Sequence, residues 1–172
     1  MKVEKIEPKV ITYKLTPSKD DEEYMECMWA RFIFDCDNGR LNINSDAGDY
    51  SYGWGYNEHE EFMSLMARIN KEYLINKIAD RTVFDLEASK KKTIENITEY
   101  EDLGCQLQDI IEEINDIDIH SADGFFFKVD SIVSIDYESI SIVKRFPHGA
   151  EVVCELFAKY IQPQIKKDFK TN

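Results

Sequence analysis

Residues 28–56 read MWARFIFDCDNGRLNINSDAGDYSYGWGY, and the period of two in their side chains decides the fold. Asn38-Gly39 is a strong hairpin signal, because a type I′ turn needs positive φ at both central residues. A two-residue loop there pairs Asp37 with Arg40, Cys36 with Leu41, Asp35 with Asn42 and Phe34 with Ile43. Side chains alternate faces along a strand, so Phe32, Phe34, Cys36, Leu41 and Ile43 share one side. Arg31, Asp35, Asn42 and Asn44 take the other side, with Trp29 and Ile33 as apolar exceptions. Asp37 opposite Arg40 adds a small cross-strand charge pair.

The next strand, Asp49 to Tyr56, places Tyr50, Tyr52, Trp54 and Tyr56 at every second position. An even-numbered loop, Ala47-Gly48 or Asp46 to Asp49, sets Ser45 against Tyr50, Ile43 against Tyr52 and Leu41 against Trp54. The rings then join the Phe34 and Ile43 side and pack as core; an odd-numbered loop turns them outward as a platform. The even loop is favoured here. Gly53 and Gly55 on the reverse side leave room for another backbone.

Upstream, Val10 to Leu15 reads as a first strand between Pro8 and Pro17, and a second is expected from about Tyr24 to Asp35. After Tyr56 the apolar period changes from two to that of a helix. Asn57 is the expected N-cap, with Glu58, Glu60 and Glu61 in the first turn and Phe62, Leu65, Met66 and Ile69 as the stripe. Lys71 to Ala79 forms a short helix with Tyr73, Leu74 and Ile78. Val83 to Tyr100 continues as helix, with Leu86, Ile94 and Ile97 inward and Lys90, Lys91 and Lys92 in solvent.

Gly104 marks a break, and Leu107, Ile110, Ile111, Ile114 and Ile117 describe an amphipathic helix beyond it. Ser121 caps a helix holding Phe125, Phe126 and Val129, with a strand as the alternative. Tyr137 to Arg145 alternates at Ile140 and Ile142 yet is short, so helix and strand both stay open. The last helix starts near Pro147 or Gly149 and runs through Val152, Val153, Leu156, Phe157 and Tyr160, where Pro163 is expected to bend or end it. The class is α+β: one domain over 1–172, with an N-terminal antiparallel meander of about four strands packed against C-terminal helices.

At 172 residues, 43% hydrophobic and 12% aromatic, the chain is long and apolar enough to bury a core. It has no apolar run long enough for a membrane span, and MKVEKIEPKV lacks a signal-peptide apolar region, so a cytoplasmic protein is expected. Cys27, Cys36, Cys105 and Cys154 are scattered, which fits reduced thiols better than disulfides or zinc. A net charge of −13 opposes direct binding to nucleic acid and suits a basic protein partner, although it also serves solubility alone.

No catalytic motif emerges. Asp35 to Gly39 resembles the start of a calcium loop, but the glycine stands fifth and the context is a hairpin. Asn44, Asp46 and Asp49 offer cation ligands, yet ordinary loop acids explain them as well. His59-Glu60-Glu61 lacks the second histidine of a zinc helix, and Gly53-Trp54-Gly55 opens no dinucleotide unit. A cysteine–histidine pair has no local signature. The reading is therefore a non-enzymatic protein with no cofactor and no metal.

The charge has one conspicuous gap. From Thr93 to Phe127 there is no Lys or Arg, while Glu99, Glu101, Asp102, Asp109, Glu112, Glu113, Asp116 and Asp118 all fall there. Helical spacing of the apolar residues gathers these acids outward, either as a solvated face or as a surface that docks on a basic groove.

The segment ARFIFDCDNGRLNINSDAGDYSYGWGYNEHEEFMSLMARINKEYLINKIADRTVFDLEASKKKTIENI resembles a group of small, largely uncharacterised proteins of bacterial phages and prophages, as does SIVKRFPHGAEVVCELFAKYIQPQIKK. The resemblance covers more than half the chain and brings no catalytic residues with it. What it implies is an accessory protein of a mobile element in the host cytoplasm, a setting in which small acidic proteins often inhibit host defence, anti-CRISPR proteins among them. The expected partner is then a basic host protein that handles nucleic acid. Two alternatives stand beside it: a small-molecule or enzymatic pocket over Tyr50, Tyr52, Trp54 and Tyr56, and an assembly component of the mobile element. The oligomeric state is not legible.

Overall fold

The chain reverses after Asp35, two residues earlier than the Asn38-Gly39 signal suggests. In the computed structural model, which describes residues 1–169 except 4, 6, 56, 57, 101–103 and 133–136, β2 (Ala30–Asp35) pairs antiparallel with β3 (Arg40–Ser45). Phe34 faces Leu41, Phe32 faces Ile43 and Asp35 faces Arg40. The loop is thus four residues, Cys36 to Gly39, and its last residue takes the left-handed conformation that glycine tolerates: Gly39 has φ 56°. Three hydrogen bonds favour it, two of them local. The Asp35 carboxylate accepts from the Asn38 N–H at 3.3 Å and its Nδ2 at 2.8 Å, and the Cys36 N–H donates to the Lys9 carbonyl at 2.9 Å. Because the register moves by two, every side chain keeps its predicted face.

β1 (Val10–Leu15) adds to the free edge of β2, and β4 (Tyr50–Gly53) to that of β3, giving the order β1-β2-β3-β4. Tyr50 faces Ile43 and Tyr52 faces Leu41, again two residues from expectation but with the same parity. The Asp49 carboxylate accepts from the Ser45 N–H at 3.4 Å, and the Ser45 hydroxyl donates to the Gly48 carbonyl at 2.6 Å; together they close this longer loop. The expected second strand is shorter than 24–35, because Glu22–Met25 is a 3₁₀ turn. The fold class is α+β, as the patterning predicts: this four-stranded sheet comes first and helices follow.

The chain packs as two units, each with its own apolar core. The first comprises residues 1–80 and 146–172. Phe32, Phe34, Leu41 and Ile43 on the inner sheet face are fully buried against α1 (His59–Met66), α2 (Lys71–Ile78) and α6 (His148–Leu156). Asn70 caps α2 by accepting from the Tyr73 N–H at 2.7 Å. Glu58 stands at the N-cap of α1 without a side-chain bond; Asn57, the expected cap, lies outside the described residues.

Pro163 does not end the last helix. A five-residue π turn, Phe157–Ile161, joins α6 to α7 (Gln162–Asp168), and the Gln162 N–H reaches back to the Phe157 carbonyl. The wider turn accommodates a ring that has no N–H and would crowd the carbonyl four residues before it. Gln162 then donates to the Met66 and Ile69 carbonyls at 3.1 and 2.6 Å, satisfying the end of α1.

The second unit is residues 81–145. Val83–Phe84 is not helical but forms β5, paired with β6 (Lys144–Arg145), and α3 begins at Leu86 and runs to Tyr100. Buried Ser89 and Thr93 with Asn96 lie along one side of α3 and serve as a polar edge. The Val143 N–H donates to Ser89 Oγ at 2.9 Å, the Ser141 N–H to Thr93 Oγ1 at 3.0 Å, and Asn96 Nδ2 to the Ser139 carbonyl at 3.2 Å. Helix side chains thus hold the backbone over 139–143, and the ambiguous segment resolves into a 3₁₀ turn (Tyr137–Ser139), an irregular stretch over 140–143 and the short β6. α4 (Leu107–Asn115) and α5 (Ala122–Ile132) close this core around Ile97, Ile114, Phe125 and Val129. Ser121 Oγ accepts from the Gly124 N–H at 3.3 Å, so the helical alternative for α5 is the one observed.

Three substitutions test these accounts by urea denaturation. At Gly149 a Cβ would meet the Ala47 carbonyl oxygen at 1.8 Å, so Gly149→Ala should cost about 3 kcal/mol, while Gly53→Ala, with nothing closer than Arg40 Nε at 3.6 Å, should cost under about 1. Thr93→Val removes the acceptor for the Ser141 N–H and should cost roughly 1–3 kcal/mol; an unchanged midpoint would refute the polar-edge account.

Candidate functional site

The acidic surface is built on α4. Leu107, Ile110, Ile111 and Ile114 recur at helical spacing; Ile110 and Ile114 are buried, and the other two are half-buried. That fixes Asp109, Glu112, Glu113 and Asp116 outward, and all four are exposed, as are Glu99 in the last turn of α3 and Asp118 beyond α4. Glu101 and Asp102 lie outside the described residues. Gln108 Nε2 donates to Glu112 Oε1 at 3.1 Å, and Asp118 pairs with His120 at 3.0 Å. Among the described residues no Lys or Arg forms an ion pair with Glu99, Asp109, Glu112, Glu113, Asp116 or Asp118.

Their placement runs against the helix dipole. Asp109 in the first turn is favoured, but Glu113 and Asp116 stand at the C-terminal end of α4, where no basic residue occupies the last turn. The orphan carbonyls there do receive one cation. Lys90, expected in solvent with Lys91 and Lys92, is buried, and its Nζ donates to the Asn115 carbonyl at 2.9 Å and to Glu87 Oε1 at 3.2 Å. The signal was in the spacing: Lys90 shares the stripe of Leu86, Ile94 and Ile97.

The aromatic strand forms the second candidate. Tyr50, Tyr52 and Trp54 are on the core side, half-buried at its rim; Tyr56 lies outside the described residues. Tyr52 and Trp54 meet edge to face at 4.8 Å, Trp54 tilts on Phe62 at 5.9 Å, and Trp54 Nε1 donates to Tyr73 Oη at 3.1 Å. Lys77 Nζ stands 5.3 Å from the Tyr52 ring and 5.5 Å from that of Tyr73. Beside them a shallow concavity of about 440 Å³ is lined by Asn70, Glu72, Tyr73, Asn76 and Lys77. Sequence reading placed the rings on the right face but did not identify Tyr73 and Lys77, whose contacts with them come from a helix twenty residues on.

The remaining reactive groups are engaged separately. Burial raises the thiols of Cys27 and Cys36 to about 11 and of Cys154 to about 12, so all three stay protonated at neutral pH. Asp46 accepts from the Cys27 thiol at 3.1 Å and from the Met28 and Trp29 N–H groups at 2.9 and 3.3 Å; Asp49 accepts from Asn44 and Ser45. Among the described residues no three His, Cys, Asp or Glu side chains gather as a metal site. His120 and His148 face Asp118 and Glu26. His59 sits against the Phe169 ring at 5.2 Å with Nδ1 3.4 Å from Lys9 Nζ and a buried Nε2 that has no hydrogen-bond partner. Burial, then the Lys9 charge, holds its pKa below the ordinary 6.5, with Glu60 and Asp37 opposing.

The model of the phage family Phage_phiTE_072 matches residues 1–167. No curated protein and no solved structure matches the chain.

The His59 site makes a pH prediction. Its folded-state pKa is depressed, so the unfolded chain takes up a proton first as pH falls below about 6.5, and stability drops in that window. The melting temperature should fall between pH 7 and about 5, and His59→Gln should flatten that slope; an unchanged slope would mean that another group carries the proton uptake.

Proposed function

The chain belongs to this phage family, and on that premise we propose that it is a phage accessory protein that binds, without catalysis, a basic nucleic-acid-handling protein of the host and inhibits it. Defence proteins, CRISPR-Cas effectors among them, are the class of target this reading favours. One observation carries it: over residues 93–127, which contain no Lys or Arg, the outward carboxylates Asp109, Glu112, Glu113 and Asp116 stand exposed with no cationic partner among the described residues, two of them at the unfavourable end of α4. Like charges so placed cost stability, and a basic groove would repay that cost on docking. Binding of this kind is fast and weakens with salt. No helix among the described residues is long and apolar enough to cross a membrane, and the site of action proposed is the host cytoplasm.

A second reading rests on the concavity beside Tyr73 and Lys77, which would suit a small ligand held against the aromatic rim. A ligand that raises the melting temperature of the native chain but not of Tyr73→Ala would favour it.

The first reading is tested by pull-down from host lysate and a salt titration of the captured complex. Affinity should fall steadily as ionic strength rises, and Glu112→Lys with Glu113→Lys should weaken binding about tenfold or more. An affinity indifferent to salt and to charge reversal would reject the acidic-face mechanism.

A further inference from the structure

We propose that β1 is an edge by which the chain recognises a second copy of itself: two β1 strands pair antiparallel, about a two-fold axis through Thr12, into one continuous sheet. β1 ends the order β1-β2-β3-β4 and has a neighbour on one side only. One bond tells which backbone groups face the open side. The Cys36 N–H donates to the Lys9 carbonyl at 2.9 Å, immediately before the pair Val10–Asp35. Bonded and non-bonded pairs alternate along an antiparallel ladder. Ile11, Tyr13 and Leu15 therefore direct their N–H and C=O groups to β2, and Val10, Thr12 and Lys14 direct theirs away from the sheet. Among the described residues no loop or terminal segment bonds these outward groups.

The usual guards of an edge strand are prolines, bulges, inward charges and short length. β1 runs six residues in unbroken register, with β-branched Val10, Ile11 and Thr12 followed by Tyr13. Pro8 and Pro17 stand outside it, and its one charge, Lys14, is on the exposed side. The strand is also held in place before any partner arrives. Ile11, Tyr13 and Leu15 are half-buried against the core, the Tyr13 ring meets Phe34 edge to face at 5.8 Å, and the Tyr13 hydroxyl donates to Asp168 at 2.9 Å. The opposite edge, β4, is four residues long and ends in Gly53, which makes it the weaker template.

The sequence of β1 selects the occupant. Outward groups of one strand must meet outward groups of the other, so the register moves in steps of two. Centred on Thr12, it sets Val10 against Lys14, Thr12 against its own copy and Lys14 against Val10, with about six backbone bonds in all. The positions between them set Ile11 against Tyr13 on both sides of the axis. Aromatic–β-branched and Thr–Thr pairs are favourable across strands, no like charges face each other, and the Lys14 stem lies along Val10. A shift of two residues pairs Lys14 with Pro8, which has no N–H, or Val10 with Thr16 beyond the strand. The register that satisfies the whole strand is thus the symmetric one, as a contact between identical chains requires. An edge contact of this length is small, and a net charge of −13 on each copy opposes it, so the dimer is weak. Salt should strengthen it, the reverse of what the acidic-face reading expects for its own complex. β1 and α4 belong to different units, and neither proposal depends on the other.

Sedimentation velocity of the full chain over about 5–500 μM should show a monomer–dimer equilibrium that tightens as salt rises from about 0.05 to 0.5 M. Thr12→Pro removes an outward N–H without touching the bonds to β2 and should weaken dimerisation about tenfold or more. Val10→Lys sets an ammonium against Lys14 of the second copy and should weaken it comparably, and adding Lys14→Glu should restore it. Circular dichroism establishes that each variant is folded. In a Cys105→Ser background, which removes the exposed thiol, oxidation should cross-link Thr12→Cys into a covalent dimer about tenfold or more faster than Lys14→Cys, whose copies lie too far apart. Four outcomes overturn the proposal: a monomer throughout, a dimer indifferent to Thr12→Pro and Val10→Lys, no restoration by Lys14→Glu, or equal cross-linking of the two cysteine variants.

Discussion

The pairing of β2 with β3 is the constraint from which the rest of the first unit follows. It places Phe32, Phe34, Leu41 and Ile43 on one face with no solvent exposure, and each such side chain contributes about 2–3 kcal/mol by leaving water. Once that face is apolar, α1, α2 and α6 have a surface to cover, and the half-buried rings of β4 are drawn in at its margin. The same alternation exposes the other face. A one-residue slip would put the phenylalanines in solvent and Arg31 in the core, so register is strongly specified while the exact loop is not. This is why a two-residue error in loop length left the assignment of faces intact.

The second unit is held together differently. Its core is smaller, and a polar edge on α3 takes the place that a neighbouring strand would occupy. Ser89 and Thr93 are buried because each satisfies a backbone N–H of the chain running alongside, and without those bonds Ser141 and Val143 would have orphaned donors. Lys90 does similar work at the other side, meeting the C-terminal carbonyl of a helix that otherwise carries only acids there. These polar contacts hold α4 so that its carboxylates face water.

Carboxylates dominate the outer side of α4, and two of them stand against the helix dipole at an electrostatic cost inside the free protein. They contribute nothing to the apolar core, which is what makes this surface a candidate for recognition and not for folding.

How much of this was legible beforehand depends on the range of the interaction. Sequence alone determined the α+β class, the faces of the meander, the helices over residues 71–78 and 107–115, and the outward acids, because alternation and helical periodicity are local properties of the chain. It misjudged Val83-Phe84 and Lys90, and of the two outcomes expected at Pro163 the end of the helix is not the one observed. The short β5 exists only because β6 arrives about sixty residues later, Lys90 is buried only because α4 presents a carbonyl to it, and at Pro163 a π turn makes room. Trp29 and Ile33 stood out as exceptions in the pattern, and the register sets Ile33 between Thr12 and Asn42 on the exposed side of the sheet. Local periodicity assigns a side chain to a face; only tertiary pairing decides what that face meets.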